Sequence, residues 1–304
     1  MINRKSIFTM AVFFALSTAL MAGTIASFPK KKYIIGPEIK FSPDGSHIAF
    51  TARDGKKYYA PHNLYIGSSK NGRFKKAFND PVNYYVWKNR SEIIFAGGTK
   101  DTVTIKSGNI RTGNTAILYS YKKRIKGSGY AKSYEKFDIK AISPQGKVIV
   151  EKNSGACSLI NIRTKRETPL INFKIPYSGN PKSRVNFSDD GRRLMLFDGR
   201  KRSWSIYAVT GSSIKLVKKI DSLKGIQPGS DYRLSPDGRS IAFTVEKCKG
   251  GCYHIAYEYN FQSGTLKKLK TIRGGQILRV AFDSSFKYAV TNDMHRRLRV
   301  YRIK

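Results

Sequence analysis

The chain has 304 residues, 57 of them Lys or Arg against 20 Asp or Glu, for a formal net charge of +37. Three cysteines are too few for a disulfide scaffold, so a hydrophobic core must hold the fold, and although the length exceeds the usual single-core domain, one closed all-β domain can be this long. The charge excludes an acidic or balanced exterior and favours anionic partners such as acidic polysaccharide, lipopolysaccharide or phospholipid head groups, although a source with Lys-rich proteins in general would give the same count.

Arg4 and Lys5 precede an apolar run from Ile7 to Ala22 that carries no charge, and small residues follow at Gly23, Thr24 and Ala26. This is the pattern of a secretory signal peptide, with cleavage expected after Ala26. Residues 1–26 are then the signal, and 27–304 form a single domain that is periplasmic or secreted. The run falls short of the roughly 20 apolar residues that span a bilayer, although Phe8, Phe13, Phe14 and Leu16 would also suit an uncleaved anchor. No membrane span is expected once the signal is removed.

KYIIG, Lys32 to Gly36, reads as a strand ahead of the first repeat. The repeat itself begins at Phe41 with FSPDGSHIAF and returns at Leu234 as LSPDGRSIAF. Weaker copies start at Ile142 (ISPQGKVIV), Phe187 (FSDDGRRLMLF) and Phe282 (FDSSFKYAV), and Trp87 (WKNRSEIIF) keeps the apolar frame. Each copy reads as a strand ending in the anchor, a tight turn, a second strand, a third alternating strand and a basic fourth strand. Pro presets φ in the turn, Asp bonds its own backbone, and Gly accepts positive φ. Four short strands at a period of about 47 make one propeller blade. The sixth copy ends after its third strand, Leu298 to Ile303, so Lys32 to Gly36 is expected to complete the last blade beside the strand near Val300. The expected fold is all-β, a six-bladed β-propeller closed by an N-terminal strand.

The Ser-Pro-Asp-Gly turn followed by Ile-Ala-Phe resembles the repeat of TolB-like propellers, which also occurs in propeller domains of prolyl oligopeptidase relatives. The resemblance covers the propeller part, from about Lys32 onward. It implies a periplasmic propeller that binds other envelope components. The Gly-x-Ser-x-Gly nucleophile elbow of the peptidase relatives is not in the sequence.

The turn aspartates Asp44, Asp189, Asp190 and Asp237 recur with the blades and are read as turn caps. Cys248 and Cys252 flank a short loop between the second and third strands of the fifth blade and are expected to form a disulfide; a metal site with His254 is the rival, and Cys157 is read as an unpaired core residue. His47, His62, His254 and His295 form no triad or metal motif in sequence, and no metal or cofactor is expected.

The irregular 55-residue step from Trp87 to Ile142 places an insertion around residues 119–136. It combines Tyr119, Tyr121, Tyr130 and Tyr134 with Lys122, Lys123, Arg124, Lys126 and Lys132. Cations draw an anionic partner and tyrosines supply contact area, so these residues are the candidate binding loop, with a solvated loop as the alternative. Basic pairs also recur near the fourth strands, at Lys75 and Lys76, Lys165 and Arg166, Lys218 and Lys219, and Lys267 and Lys268. They would form a positive rim or protect exposed strand edges. The expectation is an exported, monomeric, non-enzymatic binding or scaffold module for an envelope protein or an anionic polysaccharide or lipid surface. The alternative is a lyase or hydrolase acting on acidic polysaccharide. Nucleic acid is disfavoured as a partner, because export removes the usual target.

Overall fold

A computed structural model of the chain describes residues 22–27, 33–54, 61–126, 133–152, 155–176, 184–221, 223, 226, 231–248, 252–273, 277–293, 295 and 297–304. The strands, in chain order, begin with β1 (Ala22–Ser27). The first blade is β2 (Tyr33–Phe41), β3 (His47–Asp54), β4 (Asn63–Ser68) and β5 (Phe74–Lys76). The second is β6 (Tyr84–Trp87), β7 (Glu92–Gly98), β8 (Thr102–Asn109) and β9 (Thr115–Lys122), followed by a small hairpin of β10 (Ile125–Lys126) and β11 (Ser133–Tyr134). The third is β12 (Phe137–Ile142), β13 (Lys147–Lys152), β14 (Cys157–Asn161) and β15 (Arg166–Pro169). The fourth is β16 (Arg184–Phe187), β17 (Arg193–Asp198), β18 (Ser203–Thr210) and β19 (Ser213–Ile220). The fifth is β20 (Tyr232–Leu234), β21 (Ser240–Cys248), β22 (Cys252–Asn260) and β23 (Leu266–Ile272). The sixth is β24 (Ile277–Phe282), β25 (Tyr288–Asp293), β26 (Arg297–Arg302) and, as its outermost strand, β1. The fold is therefore an all-β, six-bladed propeller whose last blade is completed from the N-terminus. Among the described residues, no helix is long and apolar enough to cross a membrane.

The closing strand is not the one the sequence suggested. Tyr33 to Gly36 belongs to β2, where Tyr33 pairs with Asp54 and Ile35 with Ala52 before the register shifts and resumes at Ile39 and Phe50. Ile35 packs against the cluster that holds Phe41, Ile48 and Phe50, which draws the segment inward as an extension of the first blade. The closing role falls to β1, which pairs antiparallel with β26 from Ala22 opposite Tyr301 to Ser27 opposite Arg297.

Alternation along the second strands explains why they read as continuous apolar runs. Ile48, Phe50 and Ala52 of β3 face the sixth blade, where they meet Val290 and Leu298, while Ala49 faces the second blade with Tyr85, Ile93 and Phe95. The same division recurs in β17, where Leu194 and Leu196 pack toward the third blade and Met195 and Phe197 toward the fifth. A strand covered on both faces carries apolar residues at every position.

The repeated turns are built alike. In the first, the Ser42 hydroxyl donates to Asp44 Oδ1 at 2.6 Å and accepts from the His47 amide at 3.0 Å. Ser188 with Asp190 and Ser235 with Asp237 reproduce the 2.6 Å hydroxyl bond. These bonds lower the Asp237 carboxyl below its ordinary value, the Ser235 hydroxyl being the main cause. The turn closes through glycine with positive φ, 71° at Gly45 and 68° at Gly238. In the sixth blade Phe286 stands at the glycine position, with φ 55° and its ring buried. Turns also touch their neighbours, and Ser284 Oγ donates to Pro43 O at 2.6 Å, joining the sixth blade to the first.

Two glycines separate backbone strain from crowding. An added Cβ at Gly45 meets nothing within 4 Å, whereas at Gly238 it would lie 2.4 Å from Arg193 Cγ. Gly45→Ala is expected to cost about 1 kcal/mol, the left-handed penalty alone. Gly238→Ala should cost more, because Arg193 must also move. Urea unfolding of the two variants measures the difference, and equal losses would show that crowding at Arg193 contributes nothing.

Candidate functional site

The first strands of all six blades surround a central channel, and their inward side chains line a cavity of about 570 Å³. Its walls are apolar at Val86, Ile139, Ile175 and Val185, with the aromatic rings of Tyr84 and Tyr232 beside them. Against this surface stand five cationic groups, Lys40, Lys140, Arg184, Arg233 and Arg279, and three carboxylates, Glu38, Asp189 and Asp231.

Most of these charges are committed to named partners. Lys40 pairs with Glu38 at 2.9 Å, donates to Tyr85 O at 2.7 Å and lies 4.5 Å from the Tyr84 ring centre. Lys140 reaches Glu151 at 2.6 Å. Arg233 holds Asp189 at 2.8 and 3.1 Å with one nitrogen, across the boundary between the fourth and fifth blades. Asp189 is thus a channel residue; of the four aspartates expected to cap turns, Asp44, Asp190 and Asp237 do so through the preceding serine. The sequence does mark the difference, since Asp189 occupies the place of Pro43 and Pro236 in the other turns.

Asp231 receives two guanidinium groups. Arg184 Nη1 donates to its Oδ1 at 3.2 Å, Arg279 Nη1 stands 3.7 Å from the same oxygen, and the Val280 amide donates to Oδ2 at 3.1 Å. Burial lowers the Arg279 pKa from its ordinary value, the Arg184 charge lowers it further, and Asp231 opposes both. Burial raises the phenols of Tyr84 and Tyr85, with the Glu38 charge adding to it, and burial raises Tyr232 as well. Tyr85 and Tyr232 each sit two residues before an anchor, and each phenol donates to backbone of the preceding blade, Tyr85 to Ala49 O at 2.7 Å and Tyr232 to Arg184 O at 3.2 Å.

The sequence-derived candidate loop is split between several elements. Tyr119, Tyr121 and Lys122 lie on β9, the outermost strand of the second blade, while Lys126 and Tyr134 lie in the small hairpin, Lys126 opposite Ser133 and Tyr134 opposite Ile125. Tyr121 stacks on Phe137 with ring centres 4.2 Å apart, and its hydroxyl donates to Glu135. Lys152 lies 5.4 Å from the Tyr121 ring and Lys100 lies 5.5 Å from that of Tyr134. Lys122 and Arg124 are exposed and Lys123 half-buried, while Tyr130 and Lys132 lie outside the described residues. Two of the tyrosines are therefore engaged within the chain, and the accessible part of the loop is cationic.

Cys248 and Cys252 face each other at the last register position of β21 and β22 and are joined by a disulfide. Cys157 is buried and free. Glu246 is the carboxylate nearest the cysteine pair in ligand geometry, all three donor atoms lying within 4.8 Å of one another, but oxidised sulfurs cannot ligate a metal. His254 is buried, and neither ring nitrogen has a hydrogen-bond partner among the described residues.

A scan against known protein families finds no match, and no curated protein matches the chain. Among solved structures, TolB from Acinetobacter baumannii superposes with a TM-score of 0.51 at 15% identity, covering 96% of this chain and 67% of that one. The β-propeller domain of Cps50 (Swd1) from Myceliophteria thermophila gives 0.50 at 11% identity, covering 92% and 98%. The periplasmic gluconolactonase PpgL of Pseudomonas aeruginosa gives 0.49 at 13%, covering 88% and 80%.

The Tyr121 and Glu135 pair sets a testable pH dependence. The Tyr121 phenol is pushed up to about 12, by burial first and by Glu135 next, while the Tyr121 hydroxyl holds the Glu135 carboxyl below its ordinary 4.5. A carboxyl depressed in the folded state adds stability above its unfolded pKa and loses it as pH falls through the folded one. The stability gap between wild type and Tyr121→Phe is therefore expected at neutral pH and should close on acidification below the ordinary carboxylate range. Chemical unfolding across that range checks it; a gap that persists in acid assigns the loss to packing. In fold, the chain is a TolB-like six-bladed β-propeller.

Proposed function

We propose that the protein is an exported, non-enzymatic binding propeller of the bacterial envelope, delivered to the periplasm or beyond by its N-terminal leader, that engages an anionic surface component. The observation that carries this reading is on the rim. Lys75, Lys76, Arg166, Lys215, Lys267 and Lys268 are exposed on the outermost strands of four blades, and none makes an ion pair among the described residues. The excess charge of the chain is thus displayed outward, where it draws anions over about 8 Å at physiological ionic strength. The loop cations Lys122, Lys123 and Arg124 add to the same exterior.

The alternative, a lyase or hydrolase acting on acidic polysaccharide, needs a group that takes a proton near neutral pH. The channel offers the phenols of Tyr84 and Tyr232, which burial keeps protonated, and carboxylates already engaged by cations. Among the described residues, no histidine lines it. This supports binding over catalysis.

Flotation with anionic and with zwitterionic vesicles, and retention on an immobilised acidic polysaccharide, test the reading at about 0.05 and 0.5 M salt. The expected result is capture by the anionic supports alone, released at the higher salt, and weakened at least tenfold in the combined Lys75→Gln, Lys76→Gln, Lys267→Gln, Lys268→Gln variant. Capture by neither anionic support, or salt-independent capture, would overturn it. Release of reducing ends from acidic polysaccharide by the wild type would replace it with the enzymatic reading.

A further inference from the structure

The channel charges do not balance evenly. Lys40 with Glu38, Lys140 with Glu151 and Arg233 with Asp189 are each matched by a carboxylate within 3 Å. At the remaining corner two guanidinium groups share one carboxylate oxygen, and the shorter contact belongs to Arg184. Both oxygens of Asp231 are engaged, the second accepting from the Val280 amide. The Arg279 donors make no hydrogen bond among the described residues, and the 3.7 Å approach to Asp231 is longer than a charge-assisted bond. A planar fork of donors, one charge in excess, therefore lines the same cavity as Tyr84, Ile139, Ile175 and Val185.

We propose that Arg279, supported by Arg184, is the anchor of a channel site for a small organic carboxylate with an apolar body. A carboxylate presents two coplanar oxygens that match the guanidinium fork, and the excess charge at Asp231 is cancelled when it binds. The apolar walls take the body of the ligand, and a cavity of about 570 Å³ has the size of a small-molecule site. Arg184 acts as a positioning residue, holding Asp231 so that Arg279 keeps its donors toward the cavity. This inference deepens the binding reading by adding a small-molecule ligand, but the two fail separately, because the rim lysines are not part of the channel.

The probe is benzoate, with benzyl alcohol as its neutral counterpart and inorganic phosphate as a bare anion, titrated calorimetrically into the full-length protein. Benzoate is expected to bind with a Kd on the order of 1 mM or tighter and benzyl alcohol at least tenfold more weakly. Arg279→Gln should abolish benzoate binding with little change in Tm, since Arg279 makes no hydrogen bond among the described residues, and Arg279→Lys should restore part of it. The four-lysine rim variant should bind benzoate like wild type. Phosphate binding as tightly as benzoate would overturn the apolar-body part of the proposal. No benzoate binding, or equal binding by Arg279→Gln, would overturn the site while leaving the rim reading intact.

A second observation, independent of the channel, concerns processing of the leader. Cleavage after Ala26 would leave only Ser27 of β1 and expose the outer edge of β26, whose Leu298 is fully buried and whose Tyr301 is nearly so. Upstream, Ser17, Thr18 and Ala19 offer the same small-x-small pattern directly after the apolar stretch from Ile7 to Leu16. We infer that processing occurs after Ala19 and spares the closing strand. Intact mass and N-terminal sequencing of the protein recovered from the envelope of a bacterium expressing the full chain decide it. A start at Leu20 is expected, any start up to Ala22 still upholds retention of the strand, and a start beyond Ala22 overturns it. As a second readout, a chain beginning at Leu20 should melt several degrees above one beginning at Ser27; equal melting would show that β1 closes nothing.

Discussion

A four-stranded blade has two apolar faces and cannot bury either by itself, so each blade is stable only between two neighbours. The contact that turns this dependence into a ring is the one between the sixth blade and the first, where Val290 and Leu298 meet Phe41, Ile48 and Phe50. Full burial of side chains of this size stabilises by roughly 1.5–3 kcal/mol each, against about 1 kcal/mol net for a backbone hydrogen bond. The side-chain cluster is therefore the main closing force. The β1 ladder on β26 acts differently, by satisfying backbone groups along the outer side of β26. The Ser284 bond to Pro43 places the turns of the same two blades in register.

The ring creates the channel as a by-product, and the channel imposes its own condition. Inner strands turn alternate side chains toward a narrow space, and six apolar sets would leave an open, dry tube. The chain fills it with charged groups instead, and charges in such a place have to be paired, because an uncompensated buried ion costs several kcal/mol. Three pairs meet that condition across short distances, and the cations of two of them also tie blades together: Arg233 spans the fourth and fifth blades through Asp189, and Lys40 spans the first and second through Tyr85 O. Arg184 and Asp231 make a further bond between the fourth and fifth blades. The polar lining is thus both a filling and a set of cross-links, which makes the under-compensated corner at Arg279 stand apart from the rest.

Much of the fold is legible in the sequence because one local solution is repeated. The Ser-x-Asp-Gly turn forces a reversal through bonds of its own residues at Ser42, Ser188 and Ser235, and the apolar frame around it, kept at Trp87, Ile142 and Phe282, extends the count to six hairpins. The sixth copy was still readable, although Asp283 replaces the serine and accepts from the Tyr288 amide at 2.6 Å, and Phe286 replaces the glycine. Burial of the Phe286 ring against Ala289 and Ile303 outweighs a backbone penalty of about 1–2 kcal/mol. What the turn cannot announce is which distant segment fills a vacant edge. KYIIG and the segment from Ala22 to Ser27 both have the composition of a strand, and the choice between them depends on Ile35 pairing with Ala52 and packing with Ile48 and Phe50 of β3, contacts between two strands.

The channel was illegible for the same reason that the repeat was clear. Its charged residues sit at different offsets from their anchors: Arg233 one before Leu234, Asp231 three before it, Arg279 three before Phe282 and Arg184 three before Phe187. None forms a local motif, and only the ring brings them within bonding distance. Arg184, Asp231 and Arg279 do share the same offset, three residues before the anchor in consecutive blades, so once the repeat is aligned they fall at one level of the channel. A column of the aligned repeat that reads Arg, Asp, Arg is then a statement about geometry: neighbouring blades must place a carboxylate between two guanidinium groups. The surplus at Arg279 remains because Glu38, at the same offset before Phe41 in the adjoining first blade, is engaged by Lys40. The Tyr and Lys loop, by contrast, attracted notice through composition, and Tyr121 is held there by Phe137 and Glu135 of the following blade. Composition identifies which side chains are present, whereas the offset within a repeat identifies which of them meet.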